Sequence, residues 1–208
     1  YKFPVPFNDS YDALNWVYNN AQDLNGIASN ITVGGDSAGG NISTAVCLRS
    51  RDENGPKIAA QILIYPVTNM ATDTESYRDF EEGFGLDKNL MIWFIDHYMR
   101  DEMDKKNIYA SPLLANDLSD LPPAFVIVAE NDVLRDEGLA YAKRLQEAGV
   151  KVKTTTKQGL VHAYFTEMAV FPEQIKETTS NIKQFFIWCY SISNQQPLSC
   201  TPEDIKEY

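Results

Sequence analysis

A short β-branched run, Asn30 to Gly35, leads without a break into Gly34-Gly35-Asp36-Ser37-Ala38-Gly39-Gly40. The segment from Ala38 to Leu48 then carries Ile42, Ala45 and Val46 at helical spacing. The chain must therefore turn from an extended to a helical path within a few residues, and only neighbours without side chains let strand and helix approach that closely. A residue at the apex of such a turn projects from the carboxyl edge of a sheet, with the amides of the helix N-terminus aimed beside it. Ser37 holds that place, inside a Gly35-x-Ser37-x-Gly39 pattern. A phosphate-binding loop would instead want GxxxxGK[ST], which this stretch lacks. The pattern predicts Ser37 as a nucleophile and the Ala38 N–H as an oxyanion donor.

The rest of the chain repeats the strand-then-helix theme. Asn8 and Asp9 can cap a helix carrying Tyr11, Leu14, Val17, Tyr18 and Ala21, with its end near Leu24 before Gly26. After the Asn54-Gly55-Pro56 turn, Ala59 to Tyr65 is almost continuously apolar, as a strand covered on both faces of a parallel sheet should be. Val67 to Gly85 is a polar, irregular excursion, and Asp87 caps a helix to about Arg100. A third strand, Ala124 to Ala129, follows Leu121-Pro122-Pro123; the next helix, Leu134 to Ala148, stops at Gly149. Val152 to Lys157 reads as a fourth strand, and Ile175, Thr179, Ile182, Phe186 and Cys189 mark a last amphipathic helix. This alternation predicts one α/β domain over residues 1–190, a mainly parallel sheet flanked by helices, followed by a polar tail over 191–208.

A serine nucleophile needs a base, and the chain has only His97 and His162. His97 falls inside the Asp87 to Arg100 helix and reads as a helix-face residue. His162 follows the last strand, where open α/β sheets place functional groups, and is the predicted general base. The base in turn needs an acid, expected between serine and histidine in chain order. Glu130, Asp132 and Asp136 compete. Asp132 lies in the loop directly after the third strand, whereas Asp136 and Glu137 fall in the first helical turn, where negative charge serves the helix dipole. Asp132 is the predicted acid.

The 208 residues carry 29 Asp and Glu against 18 Lys and Arg, a net charge of −11 that repels phosphate backbones, so no nucleic-acid partner is expected. The longest apolar runs are six residues, far below the ~20 needed to span a bilayer. Cys47, Cys189 and Cys200 suggest neither a disulfide framework nor a zinc cage, and no metal or cofactor site is expected. Matches to Asn-x-Ser/Thr at Asn8, Asn30 and Asn41 sit at helix or strand entries and read as chance. Composition assigns neither a compartment nor an oligomeric state.

Seven stretches together resemble the hormone-sensitive lipase branch of the α/β-hydrolases, which holds carboxylesterases and arylacetamide deacetylases. They are Phe3-Pro4-Val5-Pro6-Phe7-Asn8-Asp9, Gly35-Asp36-Ser37-Ala38-Gly39-Gly40, Ile64-Tyr65-Pro66, Ser111-Pro112-Leu113-Leu114, Leu121-Pro122-Pro123, Asp132-Val133-Leu134-Arg135-Asp136-Glu137-Gly138 and His162-Ala163-Tyr164-Phe165. The resemblance implies a Ser37, Asp132, His162 triad and a metal-free acyl-enzyme mechanism on small acyl esters, with amides or formamides an alternative substrate class. It further implies a His-Gly-Gly-Gly oxyanion loop and four strands upstream of the region matching Phe3. No such run occurs here, so the chain reads as a fragment beginning at Tyr1, with an unpaired edge on its first strand. Val67 to about Tyr109 would approach the acyl pocket, with Phe84, Trp93 and Phe94 as candidate lining. Ordinary packing stays open as the alternative for Trp93 and Phe94, and Met91 and Met99 read as core filler. A non-catalytic receptor on the same scaffold remains the rival function.

Overall fold

A computed structural model of the chain describes residues 1–194. Four strands, β1 (Thr32–Asp36), β2 (Ala60–Ile64), β3 (Ala124–Asn131) and β4 (Val152–Val161), form one all-parallel sheet in the order β1-β2-β3-β4. The helices are α1 (Val5–Asn19), α2 (Ala38–Asp52), α3 (Glu75–Asp79), α4 (Lys88–Tyr98), α5 (Arg135–Glu147) and α6 (Pro172–Asn194). A parallel sheet with helical crossovers puts every strand's carboxyl end at one edge, and that edge holds Asp36, Ile64, Asn131 and Val161.

The two-residue period of the strands sorts the core into two layers. Leu63, Ala124, Val126 and Val128 face a layer built with α1, α2, α4 and α5, while Ala60, Ile62, Ile64, Phe125, Ile127 and Ala129 face Phe185 and Cys189 of α6. All five residues of β2 are buried, which is why its sequence lacks an apolar-polar alternation. Among the described residues β1 pairs only with β2, so its other edge is open. Residues 195–208 of the expected tail lie outside the described residues, and α6 runs past residue 190 to Asn194.

Several boundaries differ from expectation for identifiable reasons. The first helix begins at Val5, with Pro6 in its first turn and no side-chain cap. Asn8 caps nothing there; its Oδ1 accepts from Arg49 Nη1 at 2.9 Å. Asp87 does cap α4, accepting from the Leu90 N–H at 2.7 Å. β4 extends four residues beyond Lys157 because an irregularity opposite Ala129 and Asn131 lets it resume pairing at Val161. Gly159 sits in that bulge at φ 70°, and its N–H donates to Glu130 Oε2 at 2.6 Å. The excursion after β2 contains the five-residue α3, whose N-terminal Ser76 N–H donates to Asp136 Oδ2 at 2.7 Å.

Candidate active site

Ser37 follows β1 directly and precedes α2, at φ 53° and ψ −116°, a conformation that L-residues rarely hold. The turn is kept by close backbone contact. A Cβ on Gly35 would lie 2.4 Å from the Gly39 carbonyl carbon, and one on Gly40 would meet Pro66 Cβ at 2.8 Å. The Ser37 N–H donates to the Ile64 carbonyl at 2.9 Å, and the Ser37 carbonyl accepts from the N–H groups of Asn41 and Val67 at 3.1 and 3.2 Å. Ala38 is the first residue of α2 and is exposed, and at that position its N–H has no partner within the helix.

The bulge in β4 delivers His162 to the same edge. His162 Nε2 lies 2.9 Å from Ser37 Oγ, and its Nδ1 lies 2.7 Å from Asp132 Oδ2. Asp132 comes from the loop after β3, is 1% exposed, and takes the Leu134 N–H on Oδ1 at 2.9 Å. A carboxylate only accepts, so this contact fixes the imidazole proton on Nδ1 and leaves the Nε2 lone pair facing the serine hydroxyl. The Tyr65 ring, at φ 35° and fully buried, packs against the imidazole with centroids 4.6 Å apart. Such an array can pass a proton from Ser37 Oγ to His162 while Asp132 faces the positive charge that forms.

The competing residues have other partners. Glu130 holds the β4 bulge, and Asp136 joins Ser76 to Arg135, whose Nε donates to Asp136 Oδ1 at 2.8 Å. His97 lies on the exposed side of α4, with Nδ1–H donating to the Trp93 carbonyl at 2.8 Å. Glu137, expected to serve the helix dipole, is instead wholly buried.

A cavity of about 390 Å³ opens beside Ser37 and Ala38, lined by Pro6, Asn41, Ile42, Val67, Met70, Met91, Phe94, Ile95 and Tyr98. No charged side chain is among its lining residues, so it suits an uncharged apolar group. Phe94 does line it, whereas Phe84 packs on Phe80 and Trp93 stacks on His97 outside it. Met91 is more than core filler, since it forms part of the wall. Val67, Met70, Ile95 and Tyr98 belong to the Val67 to Tyr109 segment expected at the pocket, though not singled out there, whereas Pro6 had no sequence signal for this role. Asn41 is buried, its Nδ2 donating to the Val67 and Ala110 carbonyls at 2.9 and 2.8 Å, so its Asn-x-Ser match is no accessible acceptor site.

Comparison with known proteins agrees with this architecture. Residues 1–166 match the model of a family described by its α/β-hydrolase fold. The chain belongs to the α/β-hydrolase family. Within that family it falls in the hormone-sensitive lipase and carboxylesterase type. It is 41% identical over 165 residues to an arylesterase of Saccharolobus solfataricus, covering 79% of this chain and 54% of the relative. It is 38% identical over 179 residues to a carboxylesterase of Mycobacterium tuberculosis, covering 85% of this chain and 56% of the relative. Among solved structures, an esterase from Rhizomucor miehei superposes with a TM-score of 0.88 at 39% identity, over 93% of this chain and 61% of that one. The chain thus spans about half the length of the curated relatives it matches.

Proposed function

We propose that this chain carries the reacting side chains of a serine hydrolase acting on carboxylic esters with an uncharged, apolar acyl group. Ser37 Oγ attacks the ester carbonyl as His162 Nε2 takes its proton, and the Ala38 N–H donates to the oxyanion. The C–O bond to the alcohol then breaks, His162 returns the proton to the leaving oxygen, and water hydrolyses the acyl-Ser37 ester by the same route in reverse. Asp132 holds the imidazole tautomer throughout.

The observation that carries this reading is the chain of contacts at 2.9 and 2.7 Å joining side chains from three separate strand ends. The esterase relatives favour esters over amides, and the uncharged cavity favours an apolar acyl group. The resemblance puts further oxyanion donors on a His-Gly-Gly-Gly run that these 208 residues do not contain. Each missing donor is expected to slow acylation by ~10²-fold or more. The test is labelling by a neutral fluorophosphonate followed by peptide mapping: the adduct is expected on Ser37 and is lost in Ser37→Ala. Labelling that persists at another serine in that variant refutes the assignment.

A further inference from the structure

Glu137 occupies the first turn of α5, is fully buried, and forms no ion pair among the described residues. Its Oε1 accepts from the Thr68 N–H at 2.6 Å and the Asn69 N–H at 3.1 Å, while its carbonyl accepts from Thr68 Oγ1 at 2.9 Å. Its Oε2 has no hydrogen-bond partner. The turn held by these bonds is also attached to the reaction site. Val67, the next residue back, donates its N–H to the Ser37 carbonyl at 3.2 Å and accepts from Asn41 Nδ2 at 2.9 Å, and both Val67 and Met70 line the cavity.

Resting on the esterase reading above, we propose that Glu137 is a positioning residue for Ser37: its carboxyl holds the Thr68 and Asn69 amides and, through Val67, sets the backbone of Ser37 and one wall of the cavity. The ionisable groups whose charges act with the carboxyl are Asp132 from the loop after β3, Asp73 from the segment before α3 and Tyr77 of α3, none of them a cation. Burial pushes Glu137 up to about 8, opposed by the two amide bonds and reinforced by the negative charges of Asp132 and Asp73. The two amides favour the carboxylate, so ionisation strengthens them, and its cost lies in burying a second negative charge against that of Asp132.

The test measures, from pH 6 to 10 on the 208-residue chain, the second-order rate of Ser37 labelling by a neutral fluorophosphonate and the hydrogen-exchange protection of the Thr68 and Asn69 amides. Glu137→Gln keeps an acceptor oxygen and cannot ionise, so it is expected to label within about threefold of the parent at pH 7. The parent and the Gln variant are expected to protect the Thr68 and Asn69 amides alike at every pH, because both keep an acceptor oxygen. Glu137→Ala removes the acceptor and is expected to label at least about tenfold more slowly at every pH. A Glu137→Ala variant that labels as fast as the parent, or that protects the two amides as well as the parent does, overturns the inference. Absence of Ser37 labelling in the parent counts against the esterase reading alone, and the exchange measurement still decides the role of Glu137.

Discussion

Gly35 and Gly39 look interchangeable in the sequence, yet the structure gives them opposite tolerances. A Cβ on Gly35 would sit 2.4, 2.6 and 2.8 Å from the C, O and Cα of Gly39, all backbone atoms that no rotamer change can move away. Restoring ordinary carbon contact of ~3.5 Å requires the first turn of α2 to shift by about 1 Å relative to β1. Overpacking of that kind costs about 1–3 kcal/mol. The same shift carries Ser37, so its 2.9 Å contact with His162 lengthens beyond hydrogen-bonding range. A misplacement of about 1 Å is worth ~10²-fold in rate. A Cβ on Gly39, by contrast, meets nothing within 4 Å, and no positive φ stands against it. Gly39→Ala is expected to gain up to ~1 kcal/mol from helix propensity. Urea unfolding and fluorophosphonate labelling of the two variants check both halves. A Gly35→Ala protein as stable and as reactive as the parent would refute the close-contact argument, as would a Gly39→Ala protein destabilised to the same degree as Gly35→Ala.

Two further outcomes test the site and its support. Asp132→Asn keeps an acceptor for the Leu134 N–H but no longer fixes the His162 proton on Nδ1, so ester turnover is expected to fall by ~10⁴-fold with little change in the urea midpoint. At the C-terminus of α4, the Arg100 guanidinium donates to both oxygens of the buried Asp104 at 2.8 and 2.7 Å and holds its carboxyl down to about 2. A carboxylate depressed in the folded state stabilises fully above its unfolded value of ~3.9, and that contribution is lost as the pH falls towards 2. The stability difference between the parent and Asp104→Asn is therefore expected to be constant above pH 5 and to close between about pH 4 and pH 2, as read by urea midpoints.

What the sequence disclosed and what it hid follow one physical division. Strand β2 was legible to within a residue at each end because burial on both faces leaves a continuous apolar run, and Asp87 was legible because an N-cap is a local hydrogen bond. The positions of Ser37, Asp132 and His162 were legible because each lies where a parallel strand ends. The start of α1 was misread since Asn8 has a distant partner, Arg49, that no local pattern announces. Glu137 was misread for the same reason. Acid in a first helical turn has an adequate local explanation, and only the approach of the Thr68 and Asn69 amides from another loop gives it a different one. The cavity wall was legible least, because Val67 and Met70 belong to a segment without periodicity and Pro6 arrives from the other end of the chain.

The distribution of unfavourable backbone conformations points to the same edge of the sheet. Among the described residues six non-glycine positions have positive φ: Asn25, Ser37, Asn54, Tyr65, Asp120 and Ala163. Asn25, Asn54 and Asp120 are of the types that tolerate this region, and they sit in connections away from the reacting groups. Ser37, Tyr65 and Ala163 are not of those types, and each costs about 1–3 kcal/mol to hold there. All three follow the carboxyl ends of strands: Ser37 reaches His162 Nε2, Tyr65 packs on the imidazole, and Ala163 is the residue after it. Conformations so costly persist only where the surroundings over-determine them, and here those surroundings are visible. Gly35 and Gly40 allow the close contacts that hold Ser37, Tyr65 is fully buried against Tyr164, and the glycine-bearing bulge in β4 turns the chain into His162. A strand end that only needed to turn would use Asn, Asp or Gly, as the other connections do. Strain accepted by a serine, a tyrosine and an alanine around one imidazole is the mark of an edge shaped for reaction rather than for stability.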